Sequence, residues 1–248
     1  MKYLIVFILF FNVLVVHVFG QKSSNSLLNH EMIIVEGGTF QMLNESSESK
    51  EKLFHSVTLK SYSIGKYEVS QAQWKAVMGS NPSYHKDCDQ CPVEFVSWNE
   101  IQEFIQKLNA QTGKKYRLPT EAEWEFAAKG GNNSKGYLYS GSNDLSAVAW
   151  HSDNSDYQAQ IIGGKQANEL GIYDMSGNVW EWCSDWFGEL SGSNETNPTG
   201  PLSGETRVLR GGGWDYWVNY CSVSGRHSAF PSHSIPFYGF RLVLPLDL

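Results

Sequence analysis

The sequence carries no excess of positive charge. Its 248 residues hold 19 Lys and Arg against 26 Asp and Glu, a formal net charge of −7. That balance excludes a nucleic-acid binder, whose affinity rests on a basic surface that neutralises phosphates. After the first twenty residues no apolar run is long enough to cross a bilayer. Cysteine is scarce: Cys88, Cys91, Cys183 and Cys221 are the whole complement. There is no phosphate-cradling loop, because Gly211-Gly212-Gly213 lacks the Lys-Ser/Thr and the helix pattern that should follow. No internal repeat, low-complexity tract or linker divides the chain. No order of Ser, His and Asp points to a hydrolase triad.

What is present begins at the N-terminus. Met1-Lys2 leads into an apolar run from Tyr3 to Phe19, broken only by Asn12 and His17, with Gly20 at its exit. Residues 1–20 read as a secretory signal peptide. The other reading is an uncleaved anchor helix, since the run is near the lower limit for spanning a bilayer. Either way the rest of the chain is expected outside the cytoplasm, secreted, periplasmic or in the cell envelope. Membrane contact is then confined to this segment, if it stays uncleaved. No cysteine near Gly20 offers a lipid-attachment site. Removing these residues takes away Lys2 alone among charged groups, so the net charge moves from −7 to −8. Residues 21–30 are a polar, serine-rich lead-in, and residues 31–246 read as one domain. In an exported chain an even cysteine count reads as disulfides. Proximity suggests Cys88–Cys91 and Cys183–Cys221, and two other pairings stay open.

The composition suits a compact, loop-rich α+β fold: 41% hydrophobic, 14% aromatic, with 23 Gly and 9 Trp. Met32 to Val35 reads as a buried strand ended by Gly37-Gly38. Asn44 to Lys52 reads as a loop, and Val57 to Tyr67 as one half-buried strand or a bent pair. Three helix starts are marked by a hydroxyl residue three positions before Gln or Glu: Ser70/Gln73, Ser97/Glu100 and Thr120/Glu123. The second helix sets Ile101, Phe104, Ile105 and Leu108 on one face, with Gly113 after its end. Gly131 to Ile172 reads as long irregular loops pinned by rings. Short strands are expected at 177–182, 207–210 and 239–244.

Several blocks occur in an order that resembles one family. They include Gly37-Gly38-Thr39-Phe40, Lys66-Tyr67-Glu68-Val69-Ser70 and Tyr116-Arg117-Leu118-Pro119-Thr120-Glu121-Ala122-Glu123-Trp124-Glu125. Asn168-Glu169-Leu170-Gly171-Ile172-Tyr173-Asp174-Met175, Gly177-Asn178-Val179-Trp180-Glu181-Trp182, Arg210-Gly211-Gly212 and Gly239-Phe240-Arg241 follow. Together they are similar to the formylglycine-generating-enzyme, or sulfatase-modifying-factor, family over residues 31 to 245. The resemblance implies a variant of the C-type-lectin-like fold, with small antiparallel sheets, a few helices and bound calcium.

The resemblance also implies sites. A calcium ion would be held by Asp174 and Glu181 with the carbonyls of Gly177 and Val179, a set of oxygen donors that suits this hard cation. The plain alternative makes Asp174 a turn residue and Glu181 a solvated or arginine-paired carboxylate. The family's enzyme oxidises a sulfatase cysteine to formylglycine with oxygen and a copper(I) ion held by two thiolates, soft ligands that suit copper(I). Here Cys221 occupies the second of those positions, the candidate catalytic residue. Tyr216 stands at the first, and Gly213 replaces a serine of the oxygen pocket. A phenol is a poor copper(I) ligand, so Cys221 reads more as half of a disulfide with Cys183 than as a copper ligand. His85-x-x-Cys88-x-x-Cys91 has half of a zinc pattern and no second half. Trp214, Tyr216, Trp217 and Tyr220 open an aromatic segment of the kind adaptable binding surfaces use. The plain reading packs those rings in the core.

Three functions compete. One is a family member without copper-oxidase activity that binds a protein or other extracellular ligand. Another is a formylglycine-generating oxidase acting on a sulfatase. The last is a structural component of an envelope complex.

Overall fold

The structure is a computed structural model and describes residues 26–44, 53–190, 192–215 and 220–246. The expected signal segment, the 45–52 loop, Tyr216 and Trp217 lie outside the described residues.

Three small sheets carry the strands. In the first, β1 (Met32–Val35) and β10 (Val243–Pro245) flank β4 (Tyr62–Gly65), both antiparallel to it. In the second, β3 (Leu53–Leu59) pairs antiparallel with β2 (Gly38–Asn44) and parallel with β6 (Glu195–Thr196). In the third the order is β8 (Arg226–Ala229), β7 (Arg207–Arg210), β5 (Trp180–Trp186) and β9 (Tyr238–Gly239). The bent-pair reading of residues 57–67 holds, because the chain leaves one sheet after Leu59 and enters another at Tyr62. The expected final strand is divided between β9 and β10. Between them Arg241 is turned inward by its ion pair with Glu181.

All three helix starts form as their sequences require. Ser70, Ser97 and Thr120 cap α1 (Gln71–Met78), α2 (Trp98–Thr112) and α3 (Glu121–Ala128), each with the reciprocal Gln or Glu contact. Gly113 ends α2 in the left-handed conformation, φ 70°, its N–H on the Asn109 carbonyl. A 3-10 turn at Gly131–Asn133 and a short helix, α4 (Leu145–Val148), interrupt the loop region.

The stripe Ile101, Phe104, Ile105 and Leu108 is buried. It packs with Trp74 and Phe240, whose ring centroids lie 5.0 and 5.4 Å from that of Phe104. Enclosing one such ring contributes about 2–3 kcal/mol. A second core under α3 gathers Val35, Met42, Ile64, Trp124, Phe126 and Val208. The two cores meet β5 from opposite sides, since Trp180 and Trp182 join the first and Cys183 the second. Strand β5 therefore fixes what the site residues on it can reach.

Candidate functional site

The turn that feeds β5 is built from left-handed residues: Asp174 (φ 57°), Gly177 (φ 80°) and Asn178 (φ 61°). Gly177 has no alternative, because a Cβ there would stand 2.3 Å from the Trp150 carbonyl oxygen. The turn presses three carboxylates together. Glu181 on β5 takes Arg241 in a two-pronged ion pair, Nε to Oε2 and Nη2 to Oε1, both 2.6 Å, and its Oε2 also accepts the Trp124 indole N–H at 2.8 Å. Arg241 is itself enclosed and donates to the carbonyls of Gly65 and Tyr173. Glu68 accepts the side-chain amide of Asn178 (2.7 Å) and the backbone N–H of Val179 (3.2 Å). Asp174 Oδ2 accepts the N–H of Gly163 at 2.6 Å, while its Oδ1 is buried with no hydrogen bond.

Burial raises the Glu68 pKa well above the carboxylate range, and repulsion from Asp174 and Glu181 adds to it. Burial likewise lifts Asp174 to about 6, against the pull of the Gly163 N–H and Arg241. Three acids around one guanidinium are short of positive charge, and a buried charge without compensation is costly. The donor set fits a calcium ion on these grounds: Asp174 Oδ1 is a buried oxygen without a donor. Glu181 Oε1 has given only one of its two lone-pair directions, since a carboxylate offers about four in all. Glu68 carried no sequence signal of a role here, because it meets this turn from 110 residues away.

The copper site does not fit. Cys221 is fully enclosed beside Tyr139, Leu145, Val148 and Ala149, under a Gly212 whose Cβ would come within 2.7 Å of its Sγ. Burial pushes its thiol up to about 12, so it stays protonated at neutral pH despite the N–H of Gly177. The other free thiol, Cys183, lies in a separate apolar cluster with Met175 and Val208. Burial and then the carboxylates of Asp185 and Glu121 raise its pKa well above the ordinary thiol value. Copper(I) takes two soft sulfur ligands, and no second free cysteine stands beside Cys221 among the described residues.

The expected Cys183–Cys221 disulfide is corrected by the same observation: both are free, buried thiols. Each is consumed by packing against apolar side chains, where a cysteine behaves as a small hydrophobe. Cys88 and Cys91 do form a disulfide, S–S 2.04 Å. That bond removes the zinc reading of His85-x-x-Cys88-x-x-Cys91, because a disulfide offers no thiolate.

The aromatic segment divides. Trp214 is not a surface residue: it is 8% exposed and packs with Ala159, Val179 and Phe237. Its indole donates to the Pro236 carbonyl at 3.1 Å, which gives the buried N–H a partner. Tyr220 is 47% exposed. Other large exposed rings are Phe230, Tyr84 and Phe95. Phe230 lies in the same segment, Tyr84 stands edge-on to His85, which in turn faces Trp214, and Phe95 donates its N–H to the Ile235 carbonyl. Phe95 holds a positive φ of 62°, a conformation uncommon for a bulky residue.

Comparison with known proteins agrees with this architecture. The sulfatase-modifying factor enzyme 1-like domain matches residues 18–246. The chaperone protein LppX of Paenibacillus barcinonensis is 34% identical over 82% of this chain and 85% of its own length. The formylglycine-generating enzyme of Streptomyces coelicolor is 34% identical over 63% of this chain, and the match takes in 54% of that enzyme. A serine/threonine-protein kinase pkn1 of Chlamydia pneumoniae is 30% identical over 85% of this chain, which spans about a third of its length (37%). Among solved structures, Treponema denticola variable protein 1 superposes with a TM-score of 0.79 at 32% identity, covering 86% of this chain and 94% of that one. Fold, motif order and these relatives together place the chain in the sulfatase-modifying factor enzyme 1-like domain family.

Proposed function

We propose that this chain is a binding member of the family, exported and without copper-oxidase activity. The observation that carries this reading is Cys221, a solitary, enclosed thiol, with Tyr216 at the position of the first thiolate. The exposed rings of Tyr84, Phe95, Tyr220 and Phe230 are the ligand contacts this reading assigns. Large rings gain contact area at little entropic cost, as in adaptable protein-binding surfaces. A relative named as a chaperone protein, LppX, supports a role in contacting other proteins, and the ligand class expected is a protein or peptide outside the cytoplasm.

Two measurements test it. Protein loaded with copper(I) and offered a Cys-x-Pro-x-Arg peptide should give no formylglycine. Turnover that Cys221→Ser abolishes would establish the oxidase instead. Peptides selected on the intact protein from a displayed library should lose binding with Tyr84→Ala, Phe95→Ala or Phe230→Ala. Binders indifferent to all three would remove these rings from the proposal.

The same reading includes a structural calcium ion held by Asp174 and Glu181 with the carbonyls of Gly177 and Val179. Its chemistry there is charge compensation of a buried acidic cluster. Chelation should lower the melting temperature, calcium should restore it, and Asp174→Asn should abolish the response. A melting temperature indifferent to both chelator and calcium would count against the site.

A further inference from the structure

A separate pocket of about 240 Å³ opens at the N-terminal end of α3. Its apolar walls are Met42, Leu190 and Pro201, and its carboxylates are Asp185, Glu189 and Glu195. Glu121 and Arg226 also line it, but they neutralise each other through a two-pronged ion pair at 2.6 and 2.8 Å. Asp185 and Glu189 have no basic side chain in ion-pair contact among the described residues.

One carboxylate of this pocket is incompletely satisfied. Asp185 is 4% exposed. Its Oδ2 accepts the N–H of Glu121 (3.0 Å) and the hydroxyl of Ser184 (2.9 Å), while its Oδ1 receives no donor among the described residues. That oxygen lies beside Gly200, another wall of the pocket, where a Cβ would stand 3.1 Å from it. A donor-bearing ligand in the pocket would complete the hydrogen bonding of Asp185 Oδ1.

We propose that this pocket binds one organic cation, a primary ammonium or guanidinium on a short aliphatic stem, as on a lysine or arginine side chain. The walls suit the stem and the carboxylates the head group. The volume is below the ~300 Å³ at which drug-sized sites begin, so it takes one side chain and not a larger ligand.

Burial, and then repulsion from Glu121, raises Asp185 to about 7. The charged groups facing it are Glu121 and Glu123 on α3, Arg117 before that helix, Arg207 on β7 and Arg226 on β8, with the Cys183 thiol on its own strand. As pH rises through 7 the carboxyl loses its proton, so affinity for a cation rises between pH 6 and 8.

The test is calorimetric titration of the intact protein with N-acetyl-lysine methylamide, agmatine and the neutral N-acetyl-norleucine methylamide. The lysine amide should bind, more tightly at pH 8 than at pH 6, and the norleucine amide should not. Glu189→Gln, on the exposed rim, should weaken binding about threefold without disturbing the fold, and Asp185→Asn tenfold or more. Binding by agmatine and not by the lysine amide assigns the pocket to free cations, and the reverse assigns it to peptide side chains. Chemical-shift changes should centre on Trp186 and Gly200. Equal affinity for norleucine, no binding by any probe, or shifts confined elsewhere would each overturn the proposal.

Discussion

Glu94 is fully enclosed, its Oε1 accepting the N–H of His85 at 3.0 Å and its Oε2 without a partner. Burial lifts its pKa from 4.5 to about 7, with the N–H groups of His85 and Tyr84 pulling the other way. A carboxyl with a raised folded-state pKa takes up a proton on folding between those values. Its penalty is therefore full above pH 7 and falls away as pH drops from 7 to 4.5. Glu94→Gln should stabilise the protein at pH 8 relative to pH 5.5 by about 1–2 kcal/mol after allowance for screening. Urea unfolding at the two pH values measures it, and an effect of equal size at both would show that Glu94 is not the titrating group. His30 works in the opposite sense. Burial and Lys114 lower its pKa from 6.5 to about 4, so the stability of keeping it neutral is lost as pH falls from 6.5 toward 4. Neither shift was readable from sequence, since enclosure is a property of the packed chain.

At the scale of elements, local rules and long-range ones contribute separately. Ser97 caps α2 through contacts three residues apart, and Ser97→Ala should cost about 1 kcal/mol. Arg241 instead ties the end of β4, the loop at Tyr173 and β5 to one another through Gly65, Tyr173 and Glu181. Removing it leaves buried carboxylates without their cation. Arg241→Leu should therefore cost about 3–5 kcal/mol, several times the loss of a cap. Chemical denaturation of the two variants gives the ratio, and a comparable loss for both would mean that Arg241 is not the clamp described. The caps were legible because their geometry is set by spacing alone. The pairing of β4 with both β1 and β10 was not, because it joins residues some 30 and 180 positions apart.

For the molecule as a whole, the state of its thiols is the most direct check. Cys183 and Cys221 should be unreactive toward a thiol reagent in the native protein, since both are enclosed and protonated. Two equivalents should react after denaturation alone, and four after reduction as well. No reaction on denaturation would reinstate the Cys183–Cys221 bond. The disulfide at Cys88 and Cys91 closes so short a loop that its reduction should cost only about 2 kcal/mol in the chain-entropy picture.

The sequence by itself determined the family, the helix caps and the core stripe on α2. Each depends on residues close in the chain, or on motifs whose order survives without knowing any contact. Only the tertiary structure decided that Trp214 is core, that Cys183 and Cys221 stay apart, and that Glu68 and Arg241 join Asp174 and Glu181. Those outcomes rest on which groups lose water together and on which partners remain to satisfy them. Spacing along the chain carries no record of either.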